Sequence, residues 1–136
     1  MTFRALEKRY SVVWSPGSSI SSLSEWYMDV RDTPLPQLEL GSICRALRQN
    51  LFVEELIPFA ESFLEQDVLA GERYDGELIA ALAGLYSNSW AANLCRPYKI
   101  IQVLREVSFL STDAGVQREA SFLIDSIESL NSKSLI

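Results

Sequence analysis

The chain has 136 residues, 48% of them apolar and 22% charged, with 12 basic against 18 acidic side chains and a formal net charge of −6. That length suits one domain with one core, and the balance of residue types excludes a disordered tail or a fibrous repeat. There is no histidine and there are only two cysteines, so Ser-His-Asp and Cys-His catalysis, His-containing zinc sites, an imidazole pH switch and a disulfide scaffold are all excluded, and neither a metal nor a cofactor is expected.

From Ser11 to Ser24 the sequence holds seven serines with Pro16 and Gly17, a composition of turns and extended chain. It predicts an N-terminal arm over residues 1–22, packed down through Val12, Val13 and Trp14. Ser22-Leu23-Ser24-Glu25 has capping-box spacing and predicts a helix from Leu23 towards Arg31, stopped by Pro34 and Pro36. Ser42 is a candidate N-cap for a short helix through Ile43, Cys44, Ala46 and Leu47, ending near Asn50. Between Glu54 and Gln66, the residues Leu56, Ile57, Phe59, Ala60, Phe63 and Leu64 make an apolar face, and Glu54, Glu61 and Glu65 are expected opposite it, with Pro58 near the first turn.

Asp75 is a candidate cap for a helix over Gly76 to Tyr86, apolar nearly all round through Leu78, Ile79, Ala81, Leu82 and Leu85, and therefore expected at the centre. Asn88-Ser89 breaks the pattern, and Pro97 opens the next helix, whose stripe is Ile100, Ile101, Val103, Leu104 and Val107. Thr112-Asp113 caps a last helix in which Val116, Ala120, Leu123, Ile127 and Leu130 recur at steps of four and three. No alternation of period two runs for the length of a strand. The fold expected is all-α: a compact single-domain bundle of five or six helices over residues 1–136, with an extended arm at 1–22 and a helical body at 23–136.

Catalytic residues do not emerge. Asp75 and Glu77 stand two apart, a spacing that turns them away from each other on a helix, and they read as a cap and a first-turn acid. Lys8, Lys99 and Lys133 are the only candidates for a lysine base. Cys44 and Cys95 each adjoin an arginine, Arg45 and Arg96, yet both fall where helices would bury them. The charge distribution says more. Residues 50–80 hold eight acids against Arg73 alone, while the rest of the chain holds ten acids and eleven bases. One stretch thus carries the whole negative excess, as either a solvated surface or a docking face for a cationic protein. A pI near 4.6 disfavours direct binding of nucleic acid. No apolar run reaches the ~20 residues of a membrane-crossing helix, and Met1 to Arg9 lacks a signal peptide's apolar stretch, so a cytoplasmic location without membrane contact is expected.

An ordered set of short signatures resembles the small helical immunity proteins of bacterial contact-dependent growth inhibition (CDI) systems: Leu6-Glu7 with Trp14 and Pro16; Pro34-Leu35 with Leu38; Leu47-Arg48-Gln49; Leu56-Ile57-Pro58-Phe59-Ala60; Gly71; Tyr74-Asp75-Gly76-Glu77-Leu78; and Trp90. The resemblance spans roughly residues 5–92, and the stretch after Trp90 does not match. It implies a protein that binds the C-terminal domain of a cognate toxin and protects the cell without catalysis, the toxins often being nucleases, commonly RNases acting on tRNA, with basic active sites. No interface residue transfers by motif. The charge count suggests the face, with Glu54, Glu61, Glu65, Asp67, Glu72 and Asp75 as the toxin-facing residues. A complex could include a host protein as a third member. An acidic adaptor or nucleic-acid mimic binding a basic host protein would share that face, and a small hydrolase using an acid pair assembled by the fold stays open.

Overall fold

The computed structural model describes residues 1–15 and 21–134, with side chains as far as residue 130, and these form helices and no strand. The helices foreseen in the sequence are α2 (Ser22–Val30), α3 (Leu40–Arg48), α4 (Val53–Gln66), α5 (Glu77–Ala83), α7 (Pro97–Arg105) and α9 (Ala114–Ser134). Added to them are α1 (Phe3–Arg9), short α6 (Ser87–Trp90) and α8 (Val107–Leu110), and 3-10 turns at Leu35–Gln37 and Ala91–Asn93.

The first helix corrects the expected extended arm. Thr2 accepts the Ala5 N–H at 3.1 Å and so caps α1, Lys8 and Arg9 complement the dipole in its last turn, and Phe3 and Leu6, three residues apart, are both fully buried. The serine-rich composition begins only at Ser11, whose positive φ of 55° ends the helical run. Irregular chain follows from Val12 to Ser15. There Trp14 packs with its ring 4.8 Å from that of Tyr27, whereas Val13 is 96% exposed; the rest of the arm, residues 16–20, lies outside the described residues.

Three caps also differ from expectation. Ser21, one residue before the anticipated Ser22, accepts the Ser24 N–H at 3.1 Å. Glu39 precedes α3, and Ser42 lies inside that helix, accepting from the Trp26 indole at 3.2 Å. Gly76, and not Asp75, is the N-cap of α5, because the chain enters the helix at φ 86°, which favours glycine. Asp113 does cap α9, accepting from Gly115 and Val116 at 2.8 and 3.2 Å.

One core cluster runs from Phe3 to Ile127. α5 packs between α3 and α9, α4 lies against α3 and α7, and α9 crosses α5 and α7. Leu78 and Ile79 of α5, Ile43 and Leu47 of α3, Leu56 and Ile57 of α4, Ile100 of α7 and Leu123 of α9 have no exposure. Each such side chain stabilises the fold by about 1.5 to 3 kcal/mol.

Candidate functional site

The acids of residues 50–80 do not share one fate. At about 100° per residue, Leu56, Ile57, Ala60 and Leu64 define the buried face of α4, and Glu54, Glu61 and Glu65 run along its flank, not opposite it. That flank meets the entrance of α7. Glu61 is only 4% exposed, and its carboxylate accepts the N–H groups of Cys95 and Arg96 at 2.9 and 2.7 Å, satisfying donors at the start of a helix whose next residue, Pro97, has none to give. Glu65 is half-buried, with the Arg96 guanidinium 3.8 Å away. Glu54, at the first turn, is exposed.

Glu55, also in α4, accepts from the Tyr10 hydroxyl, Asp67, Glu72 and Asp75 sit on the loop between α4 and α5, and Glu77 begins α5. Asp67 accepts the Leu69 N–H at 2.9 Å in a local turn. Glu77, fully buried at the foot of α5, gathers the loop from inside: one carboxylate oxygen accepts the N–H groups of Glu72 and Arg73 at 2.9 and 3.1 Å, and the other accepts from Arg48 at 2.7 Å. Burial alone would raise the Glu77 carboxyl, but hydrogen bonds from the Arg73 backbone, Arg48 and the Glu72 backbone together hold it below the usual carboxylate range. Held in this way, the loop presents Glu72, Tyr74 and Asp75 to solvent. The Glu72 carboxylate lies directly over Gly41 of α3, in space that any side chain there would occupy. Among the described residues no ion pair holds Glu54, Asp67, Glu72 or Asp75.

Glu72 and Arg73 form one wall of an open cleft of about 540 Å³ whose other wall is Trp26 with Glu39, Ser42, Arg45, Arg48 and Gln49. The Arg45 guanidinium lies over the Trp26 ring, 5.2 Å from its centroid and within the ~6 Å reach of a cation–π contact. Nothing in the charge count pointed to this cleft: its arginines are spread over two segments, and only the fold gathers them.

A third buried carboxylate, Glu7, is 4% exposed and ties α1 to α2 by accepting from the Tyr27 hydroxyl at 2.6 Å and from Arg31 Nε at 2.8 Å, with Arg31 Nη2 on its other oxygen. Arg31 holds its carboxyl below the usual range against the effect of burial, and Tyr27 adds to the lowering. Cys44 is buried as expected and its thiol is pushed up to about 12, chiefly by desolvation; Cys95, expected inside, is exposed. Among the described residues no group of three or more Cys, Asp or Glu side chains could hold a metal ion, and no helix is long and apolar enough to cross a membrane.

The family model of CDI immunity proteins matches residues 8–97, well over half of the chain. The chain belongs to the CDI immunity protein family. Its role is therefore to bind and neutralise a cognate CDI toxin, and proteins of this family are generally not enzymes. No curated protein matches the chain. The family match ends at the first residue of α7, so α7, α8 and α9 extend a CDI immunity protein whose matched part already carries the acidic loop and the arginine cleft.

Proposed function

We propose that this CDI immunity protein neutralises a nuclease, an RNase, by covering the basic active site of the toxin's C-terminal domain in the cytoplasm of the protected cell. The surface that does so is the solvent-facing part of the acidic stretch, the exposed Glu54, Asp67, Glu72 and Asp75 with the half-buried Glu65 at its edge. Glu61, counted among the toxin-facing residues from the sequence, is spent on the entrance of α7 and is left out of the contact.

The observation that carries this reading is that Glu54, Asp67, Glu72 and Asp75 are all exposed and without an ion pair among the described residues, Glu54 in the first turn of α4 and the other three on a loop held from inside by Glu77. Unpaired carboxylates on a braced backbone can replace the phosphates that a nuclease cleft binds, and they steer a cationic partner, raising association rates by about 10- to 1,000-fold at low salt. Tyr74, 53% exposed between them, supplies an aromatic group of the kind that anchors interfaces.

The test is the association kinetics of the toxin domain with the triple variant Glu54→Lys, Asp67→Lys, Asp75→Lys. Slower association and a flatter salt dependence, with an unchanged circular dichroism spectrum, are the expected result. Binding at the wild-type rate and affinity would show that the toxin docks elsewhere.

A further inference from the structure

The cleft beside the acidic loop has the opposite chemistry on its floor. Arg45, Arg48 and Arg73 come from α3 and from the loop that follows α4, and converge on one open space of about 540 Å³. Their states differ. Arg48 is committed to the buried Glu77. Among the described residues Arg45 has no carboxylate partner; it is stacked on Trp26, whose indole is itself fixed by its bond to Ser42. Arg73 is exposed; its backbone N–H donates to Glu77, and its side chain holds no carboxylate among the described residues. A guanidinium stacked on a fixed ring has lost much of its freedom already and still offers its N–H edge, the arrangement suited to a planar bidentate acceptor.

We propose that this cleft receives a carboxylate side chain of the toxin, held between Arg45 and Arg73, so that the immunity protein meets its partner with acids on the loop and with arginines beside it. The inference rests on toxin binding and adds a second, oppositely charged contact to the acidic one. The rim selects the ligand. Glu39 and Glu72 line the same cleft, and would repel a multiply charged phosphate or a nucleic-acid backbone, while a single carboxylate carries one charge to share between Arg45 and Arg73 and leaves Glu39 and Glu72 to the basic groups around it. A partner surface that carries both signs is thereby distinguished from one that is merely basic, because like charges brought together across an interface are costly.

The experiment compares toxin-domain binding by the wild-type protein, Arg73→Glu, Arg45→Lys and the acidic-loop triple variant. It follows the dissociation rate and the Trp26 indole N–H signal in nuclear magnetic resonance spectra. Arg73 lies on an exposed loop and its side chain holds no other group among those described, so its reversal should leave the fold intact. The expected results are a Kd raised about 30-fold or more by Arg73→Glu, mainly through faster dissociation, a smaller loss for Arg45→Lys, which keeps the charge but not the planar fork, and a Trp26 signal that moves when toxin is added. The acidic-loop variant should instead slow association. An unchanged Kd for Arg73→Glu, or a Trp26 signal that toxin leaves in place, overturns the carboxylate site even if the acidic loop proves essential. Loss of binding with the arginine variants alone would retain the cleft and refute the acidic face.

Discussion

Glu7, Glu61 and Glu77 each tie together stretches of chain that are distant in sequence: α1 to α2, α4 to the entrance of α7, and α5 to both α3 and its own loop. In a molecule without histidine, two of them, Glu7 and Glu77, contribute to the pH dependence in the acid range. The carboxyls of Glu7 and Glu77 are held below the usual range in the folded state, so the unfolded chain takes up their protons first. Their contribution is fully present above the ordinary carboxylate range and is lost as the pH falls through their lowered native values. Urea denaturation against pH should therefore show a level plateau around neutrality and a decline in the acid range, and Glu7→Gln should flatten that decline. A decline equally steep in the variant would mean that Glu7 is not responsible. The two thiols offer a second check at this scale: a thiol reagent such as Ellman's should titrate Cys95 in the native protein and Cys44 only after denaturation. Two rapid equivalents from native protein would contradict the burial of Cys44.

Among the elements, those with a strong 3.6-residue pattern were legible in the sequence. α4, α5, α7 and α9 appear within a few residues of where their apolar stripes and the first-turn Pro97 place them. What the sequence hid depends on tertiary contacts. α1 escaped because seven residues supply only Phe3 and Leu6 to a buried stripe, and Phe3 is covered by packing onto Tyr27 and Phe52. Glu61 was expected opposite the apolar face, whereas at about 100° per residue it lies on the flank of α4, and that flank is the one the start of α7 approaches. The cap of α5 was misplaced by one residue because Asp75 has the usual capping chemistry, while the geometry of the loop demands a positive φ at Gly76. That demand can be tested. A Cβ at Gly76 would stand 3.0 Å from Val116 Cγ2 on α9, and the left-handed conformation costs a non-glycine residue about 1 to 2 kcal/mol. Gly76→Ala should destabilise the protein by at least about that amount in chemical denaturation, and a neutral result would contradict the docking of α9 on this turn.

For the molecule as a whole, the segment beyond the family match is not an appendage. α9 packs along α5 and α7 with Val116, Ala120, Leu123 and Ile127 buried, and removing residues 98–136 would strip the central helix α5 of its packing against α9. The truncated chain should lose its cooperative thermal transition, and a truncation that melts like the full chain would show that the matched part folds alone. The same scale holds the functional reading, since the negative excess lies on one loop and one helix flank while an arginine cleft opens beside them. The candidate site was legible in the sequence only in outline. The charge count found Glu54, Asp67, Glu72 and Asp75, but it could not tell committed carboxylates from uncommitted ones, nor see arginines that meet only in three dimensions. The most direct measurement is growth of cells that express the cognate toxin domain together with either the wild-type protein or the Glu54→Lys, Asp67→Lys, Asp75→Lys variant at equal soluble levels. Rescue by the wild type and failure of the variant is the result predicted. Equal rescue by both would contradict neutralisation through the acidic surface.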